Sequence, residues 1–399
     1  MRFLHLADLH LGRSLNKFNL IEDQRFMLDQ VVGLARSHKV NAVVLAGDLY
    51  DKSQPSAEAV ALFDEFLTNL ADAQIPCVAV AGNHDSAERV SYAGRLLARQ
   101  GIHVAPVYDG TVTSWTATDE HGPVTFWLLP FLRPIDVRRA LPDAAEAIGQ
   151  DFTAATKAAL DACPIDTAAR NVLVAHQYVI YPGADVELSD SETVVGGLDC
   201  VDGHLFDRFD YVALGHIHTP QRVGRDTMRY AGSLLKYSLS EARRPKSAVL
   251  VDLGAKGDVN IELLPLRPLH DVRQISGTVD QLTSKEAVEA NSTEGRSTDD
   301  YLYAVITEDY PASTDEARLR AVYPNLIGED YTVLLQHTAG TEGGAMADIA
   351  ALRQLSPLDI FDRFFTDMNG TGPNEEQQGI ITAVFSAEYD RSEQQEDKR

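Results

Sequence analysis

The sequence predicts an α/β protein in which helices cover mixed β-sheets. Apolar runs such as 2–7 and 41–47 alternate with the amphipathic stretches 22–37 and 56–73. This order is typical of a mostly parallel sheet with helical crossovers. Several apolar runs after residue 120 follow one another more closely, as in a meander. We therefore predict a layered α/β sandwich built on one mixed sheet or on two.

The individual elements follow from the periodicity of the apolar residues. A third strand–helix pair is predicted at 77–82 and 87–99. Later strands are predicted from the runs "VTFWLLP", "NVLVAH", "YVALGH", "MRYAGS", "SAVLVDL" and "VNIELLPL".

The pattern changes after residue 270, which predicts further domains. Residues 1–270 form the main domain, and 271–340 read as a small α+β unit with strands in "YLYAVIT" and "YTVLLQHT" around a helix near 315–322. Gly-rich 341–351 is a predicted linker. Residues 352–390 contain two short amphipathic helices on either side of Asn369-Gly370, and 391–399 form a charged tail that we expect to be disordered.

Composition is that of an ordinary soluble globular protein. Of 399 residues, 44% are hydrophobic and 24% are charged. No basic leader, hydrophobic core segment or membrane-spanning run is evident, so we expect a cytoplasmic protein without a membrane partner. Cys77, Cys163 and Cys200 lie far apart without a CxxC spacing and are expected to be buried thiols in a reducing compartment.

A net charge of −24 argues at first against a nucleic-acid partner. The charge is uneven, however, because residues 271–399 hold 10 Lys and Arg against 25 Asp and Glu. Residues 220–250 hold seven basic residues against two acidic ones. A phosphate-binding surface and an ordinary solvated face explain this stretch equally well. The candidate DNA contacts are Arg222, Arg225, Lys236, Arg243 and Arg244.

Five apolar runs end in residue types that bind metals. The fragments are "ADLH", "AGDLYD", "AGNHD", "VAHQ" and "GHIH". Open α/β folds place ligands beyond the carboxyl ends of their strands. Two residues at i and i+2 of an extended chain point the same way, as for His216 and His218. Glycine precedes Asp48, Asn83 and His216, where a Cβ would crowd the turn.

The donor set suits two divalent ions. It offers two carboxylates, one amide oxygen and four imidazoles, which fits Mn, Fe or Zn and is poor for Ca or Mg alone. Two such ions outweigh the charge of two carboxylates. The site is therefore expected to attract a phosphate even on an acidic protein.

In this order, the five fragments resemble the calcineurin-like metallophosphoesterase superfamily. Within it, "VGGLDCV", "YAGSLLKYSLSE" and "LPLRPLHDVRQISGTVDQL" resemble the SbcD family of nuclease subunits. The resemblance covers nearly the whole chain. It implies a four-layer α/β/β/α sandwich, a small α+β capping domain that positions DNA and a C-terminal helical docking segment.

The resemblance also implies roles for individual residues. One ion, with Mn²⁺ as the expected metal, is bound by Asp8, His10 and His218, and the other by Asn83, His176 and His216, with Asp48 bridging. His84 is the implied catalytic histidine, an imidazolium that stabilises negative charge and protonates the departing 3′-oxygen, and Asp85 is expected to orient it. Some relatives have a second catalytic histidine three positions after the bridging aspartate, whereas this chain has Asp51 there, to which no role is assigned.

The implied function is that of a manganese-dependent DNA nuclease. It comprises 3′→5′ exonuclease activity on duplex ends and endonuclease activity on single strands and hairpins, in DNA recombination, replication and repair. The terminal helices would bind an SbcC-type coiled-coil ATPase. A homodimer within a heterotetramer, associated with the nucleoid, is expected on the same basis.

Three alternatives are open. The first is a small-molecule phosphodiesterase of the same fold, which would scarcely need 130 appended residues. The second is a phosphoprotein phosphatase, but that pattern has Arg-Gly after the second fragment and Glu closing "GNH", whereas this chain reads "GDLYDKSQ" and "GNHD". The third is a scaffold without catalysis, which usually lacks ligands, and here all seven are present.

Overall fold

The computed structural model describes residues 1–183, 186–192, 199–293, 295–308, 312–332, 373 and 377–379. The strands are β1 (Arg2–Leu6), β2 (Ser14–Leu15), β3 (Phe18–Asn19), β4 (Ala42–Ala46), β5 (Cys77–Val80), β6 (Ile102–Val104), β7 (Thr113–Asp119), β8 (Gly122–Leu129), β9 (Arg170–His176), β10 (Tyr178–Ile180), β11 (Cys200–Asp202), β12 (Tyr211–Gly215), β13 (Gln221–Val223), β14 (Arg225–Tyr230), β15 (Ser247–Leu253), β16 (Val259–Pro265), β17 (Val272–Gly277), β18 (Tyr301–Ile306) and β19 (Leu326–Tyr331). The helices are α1 (Ile21–Ser37), α2 (Ala57–Asp72), α3 (Ala87–Val90), α4 (Gly94–Leu97), α5 (Pro134–Ala140), α6 (Ala145–Ile148), α7 (Phe152–Asp161), α8 (Val279–Leu282), α9 (Lys285–Ala290) and α10 (Asp315–Val322).

Two six-stranded mixed sheets form the centre of the described structure. The first has the order β16-β15-β1-β4-β5-β6, in which β1, β4, β5 and β6 are parallel. The second has the order β13-β14-β12-β9-β8-β7, in which β8, β9, β12 and β14 are parallel. Antiparallel strands occupy the remaining edges, β15 and β16 in the first sheet and β7 and β13 in the second.

Three hydrophobic cores hold the layers together. One lies between the sheets and includes Phe3, Phe126 and Tyr211, whose rings meet edge to face at centroid distances of 5.3 and 5.6 Å. The other two lie on the outer faces, where α1 and α2 cover the first sheet and α7 covers the second. The layered α/β sandwich that the sequence predicts is thereby confirmed, with two sheets and helices on both outer faces.

Local sequence signals explain where helices start. The α2 helix begins after Ser56, whose side chain accepts a hydrogen bond from the Ala59 N–H, and α7 begins after Asp151, which caps Thr153 and Ala154 in the same way. The buried residues of α2 recur at helical spacing, with Leu62, Phe63 and Phe66 facing the sheet.

One local prediction differs from the structure, and another lies mostly outside the described residues. The helix predicted over 87–99 is divided into α3, α4 and a 3-10 turn, because Ala93 takes a left-handed φ of 57° between the two short helices. The strand predicted in "YTVLLQHT" lies mostly outside the described residues, and the structure places β19 just before it.

By its internal contacts the chain forms two compact units. The first comprises Met1–Ile275, Ser284–Tyr303 and Leu319–Gly328, and the second comprises Ser276–Thr283, Ala304–Arg318 and the described residues from Glu329 onward. The domain boundaries predicted from sequence remain predictions. The predicted linker, docking helices and tail lie outside the described residues except for 373 and 377–379.

Within the described ranges, no helix combines the length and the apolar character needed to cross a membrane.

We expect Phe126→Ala to lower the free energy of unfolding by about 3–5 kcal/mol, because the ring is fully buried between the sheets. Urea denaturation measures the change. Val60→Ala is the control, since Val60 is 45% exposed on α2 and its truncation should cost less than about 0.5 kcal/mol. Equal losses in the two variants would contradict the assignment of the central core.

Candidate metal centre

The candidate ligands lie just beyond the carboxyl ends of parallel strands from both sheets. Asp8 and His10 follow β1, Asp48 follows β4, and Asn83 and His84 follow β5 in the first sheet. In the second sheet, His176 ends β9, and His216 and His218 follow β12. The structure thus brings all seven candidate ligands and His84 to one edge of the sandwich, where α/β folds place their ligands.

Sharp turns, rather than extended chain, direct these side chains into the centre. Asp8, His10, Asp48 and His216 have φ values of 54°, 44°, 48° and 104°. Such values are uncommon for residues other than glycine and are typical of functional turns that the surrounding structure holds in place. The chain at His216 is therefore not extended, although His216 and His218 both reach the site.

Three glycines let the strand ends approach one another. A Cβ on Gly47 would lie 2.3 Å from His176 Nδ1, and a Cβ on Gly82 would lie 2.1 Å from Asp48 Oδ1. A Cβ on Gly215 would lie 1.9 Å from the Ala46 carbonyl oxygen. These positions bear out the reason given for the glycines before Asp48, Asn83 and His216.

One group of donor atoms surrounds the amide of Asn83. Its Oδ1 lies 3.0 Å from His176 Nε2 and 2.9 Å from His216 Nδ1. His176 Nδ1 contacts the Ala46 carbonyl at 2.8 Å, and because a carbonyl only accepts, Nδ1 carries the proton. In the neutral form of the ring, the lone pair is therefore on His176 Nε2, the nitrogen that faces Asn83.

A second group lies beside the first. His10 Nε2 and His218 Nε2 are 3.0 Å apart, and with a carboxylate oxygen of Asp8 they form a set whose atoms all lie within 4.8 Å of one another. Asp48 Oδ2 lies 3.6 Å from His10 Nε2 and 3.4 Å from His176 Nε2. Asp48 therefore stands between the two groups, as a bridging carboxylate must.

The residues present fit divalent ions. Asp8 Oδ2 is buried and has no hydrogen-bond partner among the described residues. Burial raises the pKa of Asp8 to about 7, which means that the protein itself stabilises this carboxylate poorly. A cation is the partner that such a group lacks, and carboxylate, amide and imidazole donors at these positions supply a mixed site for two ions.

The imidazoles are held mainly in forms suited to ligation. Burial lowers the pKa of His216 to about 3 and that of His10 well below its ordinary value, so both are neutral at pH 7. Burial also acts to lower the pKa of His176, but the Asp48 carboxylate outweighs it and raises that pKa to about 9. A metal ion bound at Asp48 would offset the negative charge of that carboxylate. It would thereby lower the pKa of His176 and favour the neutral imidazole that can bind a metal.

His84 lies at the open side of this cluster. Its ring meets that of His10 edge to face at a centroid distance of 4.8 Å, and its backbone N–H donates to Asp48 Oδ1 at 2.9 Å. Its Nδ1 donates to the Asp51 carbonyl oxygen at 2.9 Å, which leaves Nε2 for other contacts. Asp51, which has no role in the sequence analysis, is thus the residue that orients the His84 ring.

Asp85 is placed differently from the expectation that it orients His84. Its carboxylate accepts hydrogen bonds from the backbone N–H groups of Leu49, Tyr50 and Gly82 at 2.9–3.0 Å. These bonds tie the loop after β4 to the loop after β5. Asp85 is therefore a clamp between two ligand-bearing loops, and the His84 ring takes its orientation from the Asp51 carbonyl.

The candidate DNA contacts divide into internal and surface groups. Arg225 donates to the carbonyl oxygens of Phe206 and Phe209, and Lys236 donates to the Ala242 carbonyl and pairs with Asp271 at 2.8 Å. Arg225 and Lys236 thus have partners within the fold, and their role as DNA contacts stays a prediction.

The other three candidate cations are at least partly exposed. Arg222 is exposed and pairs with Asp226 at 2.8 Å. Arg244 is half-buried, donates to Thr219 and lies 3.4 Å from Glu187. Arg243 is exposed. Arg222, Arg243 and Arg244 remain predicted DNA contacts.

A cleft of about 620 Å³ opens beside the Asn83 group. Its lining includes the aromatic residues Phe131 and Tyr108, the cations Arg133 and Arg139, and the acidic residues Asp85, Glu88, Asp109 and Asp136. The Phe131 ring stacks on His216 at a centroid distance of 6.4 Å and an interplanar angle of 14°. The cleft thus joins the metal centre to a surface with aromatic groups and charges of both signs.

Two family models match the chain. The model of the calcineurin-like phosphoesterases matches residues 1–220, which contain every candidate ligand. A second model, described as the Type 5 capsule protein repressor C-terminal domain and named for the SbcD C-terminus, matches residues 268–369.

Three solved structures are similar to parts of the chain. The protein TT1561 of Thermus thermophilus is 14% identical with a TM-score of 0.36, covering 66% of this chain and 98% of that chain. A dimetal phosphatase from Danio rerio is 13% identical with a TM-score of 0.42, covering 66% and 95%. Yfce, a phosphoesterase from E. coli, is 12% identical with a TM-score of 0.27, covering 67% and 100%.

Since the first family model spans more than half of the sequence, the chain belongs to the calcineurin-like phosphoesterase family, and it is a metal-dependent phosphoesterase hydrolase. That family uses a dinuclear metal site. Among the described residues, three overlapping sets of His and Asp could hold an ion: Asp8, His10 and His218; His10, Asp48 and His84; and Asp8, Asp48 and His176. The two family matches together support an SbcD-type metallophosphoesterase nuclease subunit.

Sequence reasoning missed the residues that support the ligands. Ser191 and Glu241 lie behind His218, and Asp51 contributes through its backbone carbonyl. No periodicity identifies such contacts, because Ser191 and Glu241 are 50 positions apart and a carbonyl is present at every residue. The fragment "YSLSE", which contains Glu241, was the available signal, since it belongs to the segments that resemble the SbcD family.

We expect Gly82→Ala to weaken Mn²⁺ binding by at least roughly tenfold, because the added Cβ would displace the Asp48 carboxylate. Titration calorimetry of the metal-depleted protein measures the affinity. Gly33→Ala is the matched control, since a Cβ on Gly33 in α1 meets nothing within 4 Å and the change should leave binding intact. Wild-type affinity in Gly82→Ala would show that Asp48 does not bind the metal.

Proposed function

We propose that this protein is the nuclease subunit of a DNA-processing complex and that it cuts phosphodiester bonds with two Mn²⁺ ions. The observation that carries this proposal is the convergence of seven donor residues and His84 at one strand-end edge of a calcineurin-like phosphoesterase. The match of residues 268–369 to the SbcD C-terminal model supports a nuclease subunit over other members of the family.

The ligand assignment proposed for the two ions follows the two donor groups. Asp8, His10 and His218 hold one ion, Asn83, His176 and His216 hold the other, and Asp48 bridges them. Two ions bound there would supply an activated water and neutralise charge on the phosphoryl oxygens. Asn83 contributes a neutral oxygen, so the site keeps the positive charge that attracts a phosphodiester.

His84 is the proposed catalytic acid. Its Nδ1–H is engaged by the Asp51 carbonyl, so the second ring nitrogen, Nε2, is the one that can carry a proton to the departing 3′-oxygen. As an imidazolium, the ring also stabilises negative charge that develops on the phosphoryl group. The bond from the His84 N–H to Asp48 fixes the distance between this acid and the bridging carboxylate.

DNA is the proposed substrate because the surroundings of the centre suit a polymer. The cleft beside Asn83 offers Phe131 and Tyr108 for contact with bases and Arg139, an exposed cation, for contact with a phosphate. Residues 271–340 are proposed to form the capping domain that positions DNA. The activities proposed are 3′→5′ exonuclease on duplex ends and endonuclease on hairpins and single strands, in recombination, replication and repair.

The experiment compares three substrates with the full-length protein and Mn²⁺: an end-labelled duplex, a hairpin oligonucleotide and a phosphodiester dye. Cleavage of the labelled DNA, with products that shorten from the 3′ end, supports the nuclease. Hydrolysis of the dye with intact DNA favours the second candidate, a small-molecule phosphodiesterase, which the shared metal centre also allows.

His84→Ala should slow DNA cleavage by roughly a hundredfold or more while both ions still bind, because only the acid is removed. Single-turnover rates and Mn²⁺ calorimetry are measured on the same preparation. His121→Ala, a change at an exposed histidine far from the centre in sequence, should match the wild type in both. If His84→Ala no longer bound one or both ions, the result would show that His84 is a metal ligand and not the catalytic acid.

The proposed partner is an SbcC-type coiled-coil ATPase, bound by the segment 352–390. The support is the SbcD C-terminal match, which extends to residue 369, and the amphipathic spacing in the sequence. A homodimer within a heterotetramer and an association with the nucleoid belong to the same proposal.

Deleting residues 352–399 should abolish capture of the ATPase and leave Mn²⁺-dependent hydrolysis of the dye unchanged, since every candidate ligand lies before residue 220. A pull-down with the purified ATPase measures capture. The matched control deletes only the charged tail 391–399 and should retain the partner. If the protein without residues 352–399 still captured the ATPase, the docking surface would lie elsewhere in the chain.

A further inference from the structure

A chain of buried polar groups lies behind the candidate ligand His218. His218 Nδ1 is 2.7 Å from Ser191 Oγ, and Ser191 Oγ donates to Glu241 Oε1 at 2.7 Å. Glu241 Oε2 accepts from Lys246 Nζ at 2.5 Å. His218, Glu241 and Lys246 are all buried, so these groups have little water with which to exchange their partners.

The direction of each hydrogen bond can be deduced from the partners. Glu241 accepts from Lys246 and also from the Tyr237 N–H and the Ser238 hydroxyl at 3.2 and 3.0 Å, as an ionised carboxylate does. Ser191 Oγ also lies 2.7 Å from Ser189 Oγ, and its one proton must be assigned among these neighbours. An ionised carboxylate can only accept, so the Ser191 proton is used toward Glu241 and the Ser189 hydroxyl donates to Ser191. Ser191 Oγ must then accept from His218, so His218 Nδ1 carries a proton and Nε2 has the lone pair.

The lone pair of His218 Nε2 points at the metal centre. Nε2 lies 3.0 Å from His10 Nε2, the other imidazole of the first donor group. The opposite tautomer would direct an N–H toward the site and could not bind a cation. The backbone of His218 is fixed by the same residues, because Lys246 Nζ donates to its carbonyl at 2.8 Å and its N–H donates to Glu192.

We propose that Ser191, backed by Glu241 and Lys246, is a positioning residue that sets the tautomer of His218 and thereby the affinity of the first metal site. The inference rests on the proposed role of His218 as a ligand. Ser191 touches neither substrate nor metal. It acts through the histidine, in the way that outer partners of metal-bound histidines set ligand orientation and basicity.

The test is a titration of metal-depleted, full-length protein with MnCl₂ by calorimetry. Ser191→Ala should weaken one of the two Mn²⁺ binding steps by roughly 10- to 100-fold and leave the other unchanged. Ser191→Thr retains the hydroxyl and should restore the affinity. Ser240→Ala is the matched control, because the exposed Ser240 hydroxyl holds the same loop through the Asp190 N–H but does not reach His218.

Thermal unfolding of the metal-free variants separates positioning from folding. The melting temperature of Ser191→Ala should match that of Ser191→Thr, while the affinities differ. The proposal would be overturned if Ser191→Ala bound Mn²⁺ in two steps with wild-type affinities. It would also be overturned if Ser240→Ala or Ser191→Thr lost as much Mn²⁺ affinity as Ser191→Ala. Because the readout is metal affinity, a protein that binds Mn²⁺ in this pattern but leaves DNA intact would refute the nuclease and leave this inference standing.

Discussion

The metal centre depends on the close approach of the two sheets at the carboxyl ends of their strands. Gly215 at the end of β12 lies so near the Ala46 carbonyl of β4 that any Cβ there would overlap the oxygen. This approach lets His176 of the second sheet donate to Ala46 of the first, and lets the His216 N–H donate to Asp8. Neither sheet by itself holds a complete donor group. The two groups therefore form only when the sheets pack against each other.

Rigid loops maintain this geometry against strain. Four candidate ligands have left-handed backbone conformations that cost free energy, of order 1–3 kcal/mol each. The network around them offsets this cost. Asp85 joins the loops of Asp48 and Asn83 through three backbone N–H groups, and the Asp51 carbonyl holds His84. Asp85 and Asp51 are not candidate ligands, but their hydrogen bonds hold the ligand-bearing loops and the His84 ring in place.

Much of the fold could be predicted because its central strands are buried on both faces. The strands β4, β5, β9 and β12 read as continuous apolar runs, and burial on both faces requires such runs in parallel sheets. The division of 87–99 into two short helices was not predictable, because Ala93 gives no local signal for its left-handed conformation. Tertiary contacts decide such positions, and propensity alone does not.

The sequence by itself determined which residue types follow which strand, and hence the chemistry of the centre. To recognise Asp, His and Asn after apolar runs as ligands required only the local rule that strand ends carry ligands. The resemblance already implied that His216 joins Asn83 while His218 joins His10, and the structure places these pairs together. Only the tertiary structure decided that Asp85 clamps two loops and that the Asp51 carbonyl orients His84. The reason is physical: hydrogen bonds and donor groups form between chain segments up to about two hundred positions apart, and their partners are set by how the sheets pack.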